Sequence, residues 1–327
     1  MSVRCLFLDD TDPYLNLATE EFLLKETGEE LFLLWRSEPV IVVGKHQNAL
    51  AEINHRYVQE EHIRVARRLS GGGTVFHDPG NLNFTFIKNA DRTDRICYEY
   101  FTRLIIGPLE KLGLPAWEGP HNAIFLGNRK ISGSADHVWK RRVLHHGTLL
   151  FDSRLERLQM ALETDLSRFE HKAVQSNRSE VTNIAGHLTK NMDIRAFSSF
   201  LMREASRSFP GCSFRGLDAA ERKAAERLRE EKYCRWDWIY GYSPKYRYHN
   251  RLSGLKSPLV FSFSVEKGRI RDLCWEGGVS ETLKNHLTAA MQMQRHEPQA
   301  LRAALDPLDQ ALQQEGLSSS LLLDKLF

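Results

Sequence analysis

The sequence predicts an α+β fold, a large unit of mixed sheets and helices followed by a small α+β unit at the C-terminal end. Three observations carry this. The early chain alternates β-type apolar runs such as "LFLLW" and "VIVV" with segments of helical period. An aromatic-rich stretch with Gly and Pro punctuation, "YCRWDWIYGYSPKYRYH", marks a boundary, giving 1–245 and 246–327. Beyond it, strands and then helices segregate into a small unit. A length of 327 residues suits a large domain plus a small one.

Composition narrows the class. Hydrophobic residues at 42% and charged residues at 27% are ordinary for a soluble globular chain. A net charge of +3 is too near neutral for nucleic acid to be the main partner. The five cysteines form no C-x-x-C pair, which argues against a disulfide framework or zinc site and for a reducing compartment. "MSVRCLFLDD" has no signal-peptide h-region, and no apolar run nears the roughly 20 residues that span a bilayer. The expectation is a cytoplasmic protein without membrane partners, monomeric by default.

In order, "CLFLDD" reads as a strand. Asp12-Pro13 starts a helix, a capping side chain followed by proline at the first helical position. Leu15, Ala18 and Phe22 recur at helical spacing until Gly28. "LFLLWRSEPVIVVG" reads as two buried strands joined by a turn at Ser37-Glu38-Pro39, with Trp35 ending the first, ordinarily a core position. A short helix, "NHRYVQEEHI", precedes the most informative stretch, "RRLSGGGTVFHDPGNLNFTF".

Three adjacent glycines usually mean a hairpin or bulge. Neither G-x-G-x-x-G nor Gly-Lys-Ser/Thr occurs here, so this is not an ordinary phosphate loop. Yet glycines let backbone approach a ligand closely. Arg67, Arg68 and His77 bring charge and donors, and Val75, Phe76, Phe84 and Phe86 an apolar wall. That chemistry suits a small ligand with an apolar body and an anionic end.

A helix over 93–112 follows, kinked at Gly107-Pro108, with Cys97 on its apolar face. Gly127-Asn128 signals a hairpin that puts Lys130 near the start of the returning strand, before Ser132, Gly133 and Ser134. A lysine there can be merely solvated, or can stabilise charge on an acyl oxygen or phosphate. Lys140, Arg141 and Arg142 read as a solvated strand end, and His145 and His146 lack partners at metal-ligand spacing. Residues 168–187 lose periodicity and read as a functional loop whose Lys172, Ser176, Arg178, Thr182 and Asn183 could close over an anion. Helices over 193–208 and 218–232, a strand pair turning at Lys267-Gly268, and helices over 280–294 and 298–315 complete the chain.

These stretches resemble the lipoate–protein ligase family. "RRLSGGGTVFHDPGNLNF" is similar to that family's RR-x-SGGG-x-V-[FY]-HD-x-GN-x-N motif, "RKISGSA" to its [KR]-[VI]-SG-[ST]-A motif, and "HHGTLL" to its following strand. "KAVQSNRSEVTNI" resembles its adenylate-covering loop, and "LWRSEPVIVVGKHQN" and "WDWIYGYSPKY" fit the flanking patterns. The resemblance implies a large catalytic domain akin to that of biotin ligases and a small C-terminal domain. It implies ATP, Mg²⁺ and lipoate, lipoyl-AMP as intermediate, and transfer to a lysine of lipoyl domains in 2-oxoacid dehydrogenase E2 subunits or glycine cleavage H protein. By position, Trp35, Arg68, Ser70, Gly71, Gly72, Gly73, Thr74, Val75 and His77 would line the acyl and adenylate pocket. Lys130 would be catalytic, Ser132 and Ser134 would support its neighbourhood, and Ser176, Arg178 and Thr182 would belong to the covering loop. Which residues would hold the metal stays unknown. One departure stands out: Asn122 occupies the place of a usual aspartate. Loss of that charge leaves open a transferase that uses preformed lipoyl-AMP, or a non-catalytic lipoate-binding scaffold.

Overall fold

The computed structural model describes residues 2–90, 98–177 and 179–327. The chain divides into two compact units, one of Met1–Lys45, Ile63–Ala161 and Ser176–Arg235, the other of His46–His62, Leu162–Gln175 and Trp236–Phe327. The chain runs β1 (Val3–Leu8), α1 (Pro13–Glu26), β2 (Glu30–Trp35), β3 (Val40–Val43), α2 (His55–Glu60), β4 (Arg64–Arg67), β5 (Val75–His77) and β6 (Asn81–Asn89). It continues through α3 (Tyr98–Lys111), β7 (Ala116–Glu118), β8 (Ile124–Leu126), β9 (Arg129–Ser132), β10 (Ser134–Trp139), β11 (Arg142–Leu150), α4 (Leu155–Leu162) and β12 (Phe169–His171). Then come α5 (Ile194–Ser206), β13 (Ser213–Phe214), α6 (Ala219–Leu228), β14 (Tyr246–Leu252), β15 (Leu259–Glu266) and β16 (Arg269–Glu276). The last helices are α7 (Glu281–Met291), α8 (Pro298–Leu305), α9 (Asp309–Gln314) and α10 (Ser319–Asp324). The architecture is the mixed α+β arrangement the sequence predicts.

Among the described residues, the first unit holds a six-stranded sheet of order β10-β11-β6-β2-β1-β13 and two three-stranded sheets, β4-β3-β5 and β7-β8-β9. The second holds the sheet β12-β14-β15-β16. The main core of the first unit packs Phe32, Phe84, Phe86, Phe101, Ile105, Phe197 and Leu201 from β2, β6, α3 and α5. That of the second unit packs Tyr248, Phe261 and Phe263 against Leu287, Leu301 and Leu322.

Several elements depart from expectation. β2 and β3 are both buried but do not pair with each other: β2 joins β1 and β6, whereas β3 joins β4 and β5. The Glu38 N–H donates to Thr11 C=O (3.0 Å), turning the connection across the start of α1. Two fully apolar strands carry no alternation that would name their partners. Asp12 does cap α1, accepting from the Tyr14 and Leu15 amides, but the helix ends at Glu26 on an extended Thr27. α1 also buries Asn16, Thr19, Glu20 and Glu21. α3 continues through Pro108 to Lys111; the expectations for Cys97 and for the helix start near Thr93 fall outside the described residues. Within 168–187, Phe169–His171 is a strand, antiparallel to β14. The helix expected over 298–315 breaks at Asp306-Pro307 into α8 and α9, because proline cannot donate to a continuing helix.

Arg142 is not simply solvated. It donates to the carbonyls of Thr27 and Glu29 (2.7 Å for the latter) and so ties β11 to the exit of α1. Phe84 and Phe86 also lie elsewhere than expected, on the core face of β6. Period-two alternation turns Asn83 and Thr85 to the other face, opposite Trp35, Thr148 and His146 of neighbouring strands. The polar face, not the phenylalanine face, borders the glycine turn.

Candidate active site

The residues of the glycine stretch fold around the Arg68 side chain. Its Nε–H donates to Ser70 Oγ (2.9 Å), its Nη2 to the carbonyls of Gly71 (2.5 Å) and Gly73 (2.7 Å), and its Nη1 to Val42 C=O (3.2 Å). A five-donor fork suits this, since it can bind several diverging carbonyls at once. Burial lowers its guanidinium to about 10, with Glu20 opposing the shift. Gly72 has φ +81°, and a Cβ there would stand 2.9 Å from Arg68 Nη2 and 3.4 Å from Ala135 Cβ, so glycine is required.

Around this turn lie the other predicted pocket residues. His77 ends β5 and is buried; among the described residues neither ring nitrogen has a hydrogen-bond partner. Burial, then the charge of Arg68, pushes its imidazole down to about 3, so it stays neutral. Its ring meets Trp35 edge-on (centroids 5.7 Å apart). A buried ring with two orphaned nitrogens calls for a partner from outside the fold. Trp35 is itself buried, and its indole N–H donates to Thr85 Oγ1 (3.3 Å). Val75 is half-buried on β5, two residues before His77.

Ser176 joins this group from far along the chain. Its hydroxyl accepts from the Thr74 amide (2.8 Å), and a Cβ on Gly73 would lie 3.2 Å from it.

Lys130, Ser132, Ser134, Asn122 and Thr182 form a second group, on β9 and its surroundings. The β8–β9 hairpin turns at Gly127 (φ +58°) and sets Lys130 second in the returning strand. The Lys130 amide donates to Glu180 C=O (2.9 Å), and the Thr182 amide donates to Lys130 C=O (3.1 Å). Its ammonium borders Gly133, where a Cβ would lie 3.2 Å from Nζ. Burial lowers the Lys130 pKa, and among the described residues no carboxylate pairs with it. Ser132 Oγ is buried without a partner, and Ser134 Oγ donates to Asn122 C=O (3.1 Å). His121 and Asn122 both have φ +57°, a left-handed pair that favours asparagine among side-chain residues. Thr182 Oγ1 is 3.1 Å from His187 Nε2. Arg178 lies outside the described residues.

The ladder between β10 and β11 connects the two groups. Ala135, which touches the Gly72 position, pairs with His146, and Ser134 pairs with Gly147. Thr148 N–H donates to Gly133 C=O (3.0 Å). Ser176 is bonded to the first group at Thr74, and Glu180 and Thr182 to the second at Lys130. Ser134, in line with Gly147 and Phe84, and Ala135, in line with His146 and Thr85, face opposite sides of the sheet, because alternate residues of a strand face oppositely.

Two residues without an expected role complete the site. His146 Nε2 is 2.6 Å from Ser70 Oγ, and its Nδ1 is 3.0 and 3.1 Å from the two Glu20 carboxylate oxygens. Glu20 also accepts from the Thr85 hydroxyl. His145, one residue earlier, faces the other way, bonds Asp136 (2.5 Å) and stacks on Phe101. Both histidines thus have carboxylate partners that sequence spacing does not reveal. For His146 the signal available was its place in a strand, opposite in face to His145. For Glu20, 126 residues away, there was none.

Comparison with known proteins follows the same lines. The lipoyl protein ligase A/B catalytic-domain model matches residues 12–206. The lipoate-protein ligase LplJ of Bacillus subtilis is 36% identical over 274 residues, 82% of this chain and 83% of the relative. Lipoate–protein ligase 1 of Staphylococcus aureus is 35% identical over 299 residues, 89% and 90% of the two chains. A lipoate protein ligase of Thermoplasma acidophilum, solved with bound lipoic acid, superposes with a TM-score of 0.62 at 25% identity, covering 73% of this chain and all of that one. With the strands of its glycine, Lys130 and His145-His146 motifs placed in three sheets of the first unit and its relatives aligned along most of its length, the chain belongs to the lipoate–protein ligase family of enzymes.

Proposed function

We propose that the chain is an ATP-dependent lipoate–protein ligase. Lipoate carboxylate displaces pyrophosphate from ATP to give lipoyl-AMP. The ε-amine of an acceptor lysine then forms the amide and releases AMP. Lipoyl domains of 2-oxoacid dehydrogenase E2 subunits and the glycine cleavage H protein are the acceptors that the motifs imply. In this reading catalysis belongs to residues 1–245, and 246–327 form an accessory domain.

The single observation that supports it most is that Ser176 is hydrogen-bonded to the glycine turn while Glu180 and Thr182 are hydrogen-bonded to the Lys130 strand. A segment so placed can exclude water from a hydrolysable mixed anhydride. The Lys130 ammonium, half-buried and free of a carboxylate among the described residues, is suited to the carboxylate and α-phosphate of the reactants and to the oxyanion of transfer. Its attraction grows as charge develops, so it favours the transition state over the ground state. Trp35, Ser70, Gly71–Gly73, Thr74, Val75 and His77 would hold the acyl chain and adenylate, with Arg68 shaping the turn. The unpaired His77 nitrogens would find their partners in the ligand. The lipoic acid bound by the Thermoplasma relative supports the substrate class. Among the described residues no three His, Cys, Asp or Glu side chains converge on a metal position. Mg²⁺ enters this reading held partly by the phosphates of ATP rather than by a full protein cage.

The test is exchange of labelled pyrophosphate into ATP with lipoate, octanoate and biotin in parallel. Lipoate-dependent exchange is expected. Transfer from synthetic lipoyl-AMP with no exchange would instead make the chain a transferase, and Asn122 the first residue to revert to aspartate.

A further inference from the structure

Two chains of hydrogen-bond donors leave the walls of the proposed pocket and end on one buried carboxylate. From the glycine turn the chain is Arg68 Nε–H to Ser70 Oγ (2.9 Å), Ser70 to His146 Nε2 (2.6 Å), and His146 Nδ1 to Glu20 (3.0 and 3.1 Å). From the other wall it is Trp35 Nε1–H to Thr85 Oγ1 (3.3 Å) and Thr85 to Glu20. Every member is largely excluded from solvent.

The direction of these bonds follows from chemistry. A carboxylate oxygen accepts, so a His146 ring carrying one proton holds it on Nδ1. With the other tautomer, the Nδ1 lone pair would face both Glu20 oxygens. Nε2 is then an acceptor, and the Ser70 hydroxyl donates to it. That turns the serine lone pairs toward the Arg68 Nε–H. One carboxylate thus orders the protons of the whole series, as outer groups fix ring tautomers at metal sites.

We infer that Glu20 is a positioning residue: through the His146 tautomer it holds the Ser70–Arg68 turn, and through Thr85 it holds Trp35, fixing both walls of the acyl pocket without touching reacting atoms. The inference rests on the functional reading above for what the pocket holds. Glu20→Leu removes every acceptor from His146 Nδ1 and from the Thr85 hydroxyl, so nothing holds the ring proton on Nδ1. With the proton on Nε2, the Ser70 hydroxyl loses the acceptor for its own proton, and its hold on the turn weakens.

The experiment is nitrogen-15 NMR of the histidine rings in the full-length protein, together with lipoate kinetics. The wild type should show His146 protonated on Nδ1, a reading that needs no variant to fold. Glu20→Leu should move the proton to Nε2 and raise the lipoate KM roughly tenfold, the scale of a lost buried hydrogen bond, with kcat little changed. Glu20→Asp should restore the Nδ1 proton and most of the KM. An Nε2 proton in the wild type, or a changed tautomer with an unchanged KM, overturns the inference. Failure of the functional reading would appear separately, as absence of lipoate turnover by a wild type whose His146 proton is still on Nδ1.

Discussion

Single residues divide here between those that shape the site and those available to react. Arg68 carries the charge that the sequence puts beside the glycines, yet its donors go to Ser70, Gly71, Gly73 and Val42. Lys130 is the contrasting case, a half-buried ammonium with no anionic partner among the described residues. Lys130→Ala should therefore fold normally, with an unchanged urea midpoint, while lipoate adenylation and transfer fall by about 10²–10³-fold, the scale of losing one preorganised charge-stabilising donor. A fully active variant would remove Lys130 from the mechanism. Gly72→Ala is the structural counterpart. A side chain at φ +81° against Arg68 Nη2 should cost roughly 1–3 kcal/mol in urea unfolding and weaken lipoate binding as well. The glycines were legible in the sequence because only glycine serves there. The engagement of Arg68 was not, because carbonyl directions depend on how the turn closes.

At the scale of elements, local signals were read well wherever the chemistry is local. The Asp12 cap is an interaction over two or three residues, and Asp12→Ala should lower stability by about 1 kcal/mol, measured by chemical denaturation. The turn between β5 and β6 gives a sharper prediction. A Cβ on Gly80 would lie 1.9 Å from Asp152 C=O at the end of β11, so Gly80→Ala should destabilise by about 3 kcal/mol. Gly28→Ala, with nothing within 4 Å of its Cβ position, should leave the midpoint nearly unchanged, and equal effects for the two would refute the packing argument. Sheet membership was less legible. β2 and β3 are equally apolar and adjacent in sequence, yet they belong to different sheets. The same ambiguity of face misplaced Phe84 and Phe86, since alternation gives two sets of residues without saying which one meets the core.

For the whole molecule, buried neutral histidines set the response to acid. Burial holds His296 at about 3, where its ring bonds Tyr246 (2.6 Å) and stacks on Phe327. It holds His55, stacked on the other contact of Phe327, at about 4. Folded values below the unfolded ~6.5 mean that the unfolded chain binds more protons in acid. Their contribution is complete above pH ~6.5 and is lost as pH falls through that value toward 4 and 3. Urea unfolding at pH 5 should show lower stability than at pH 7.5, whereas equal or greater stability at pH 5 would contradict the burial of these rings. No described helix is long and apolar enough to cross a membrane. The amino-acid sequence by itself determined the family, the glycine turn, the hairpin lysine and the capped helices, because each rests on residues close in the chain. Only the tertiary structure decided that Glu20 meets His146, that Ser176 closes on Thr74, and that the polar face of β6 borders the turn. Those contacts join segments tens to more than a hundred residues apart, and the local sequence carries no record of a distance that only packing creates.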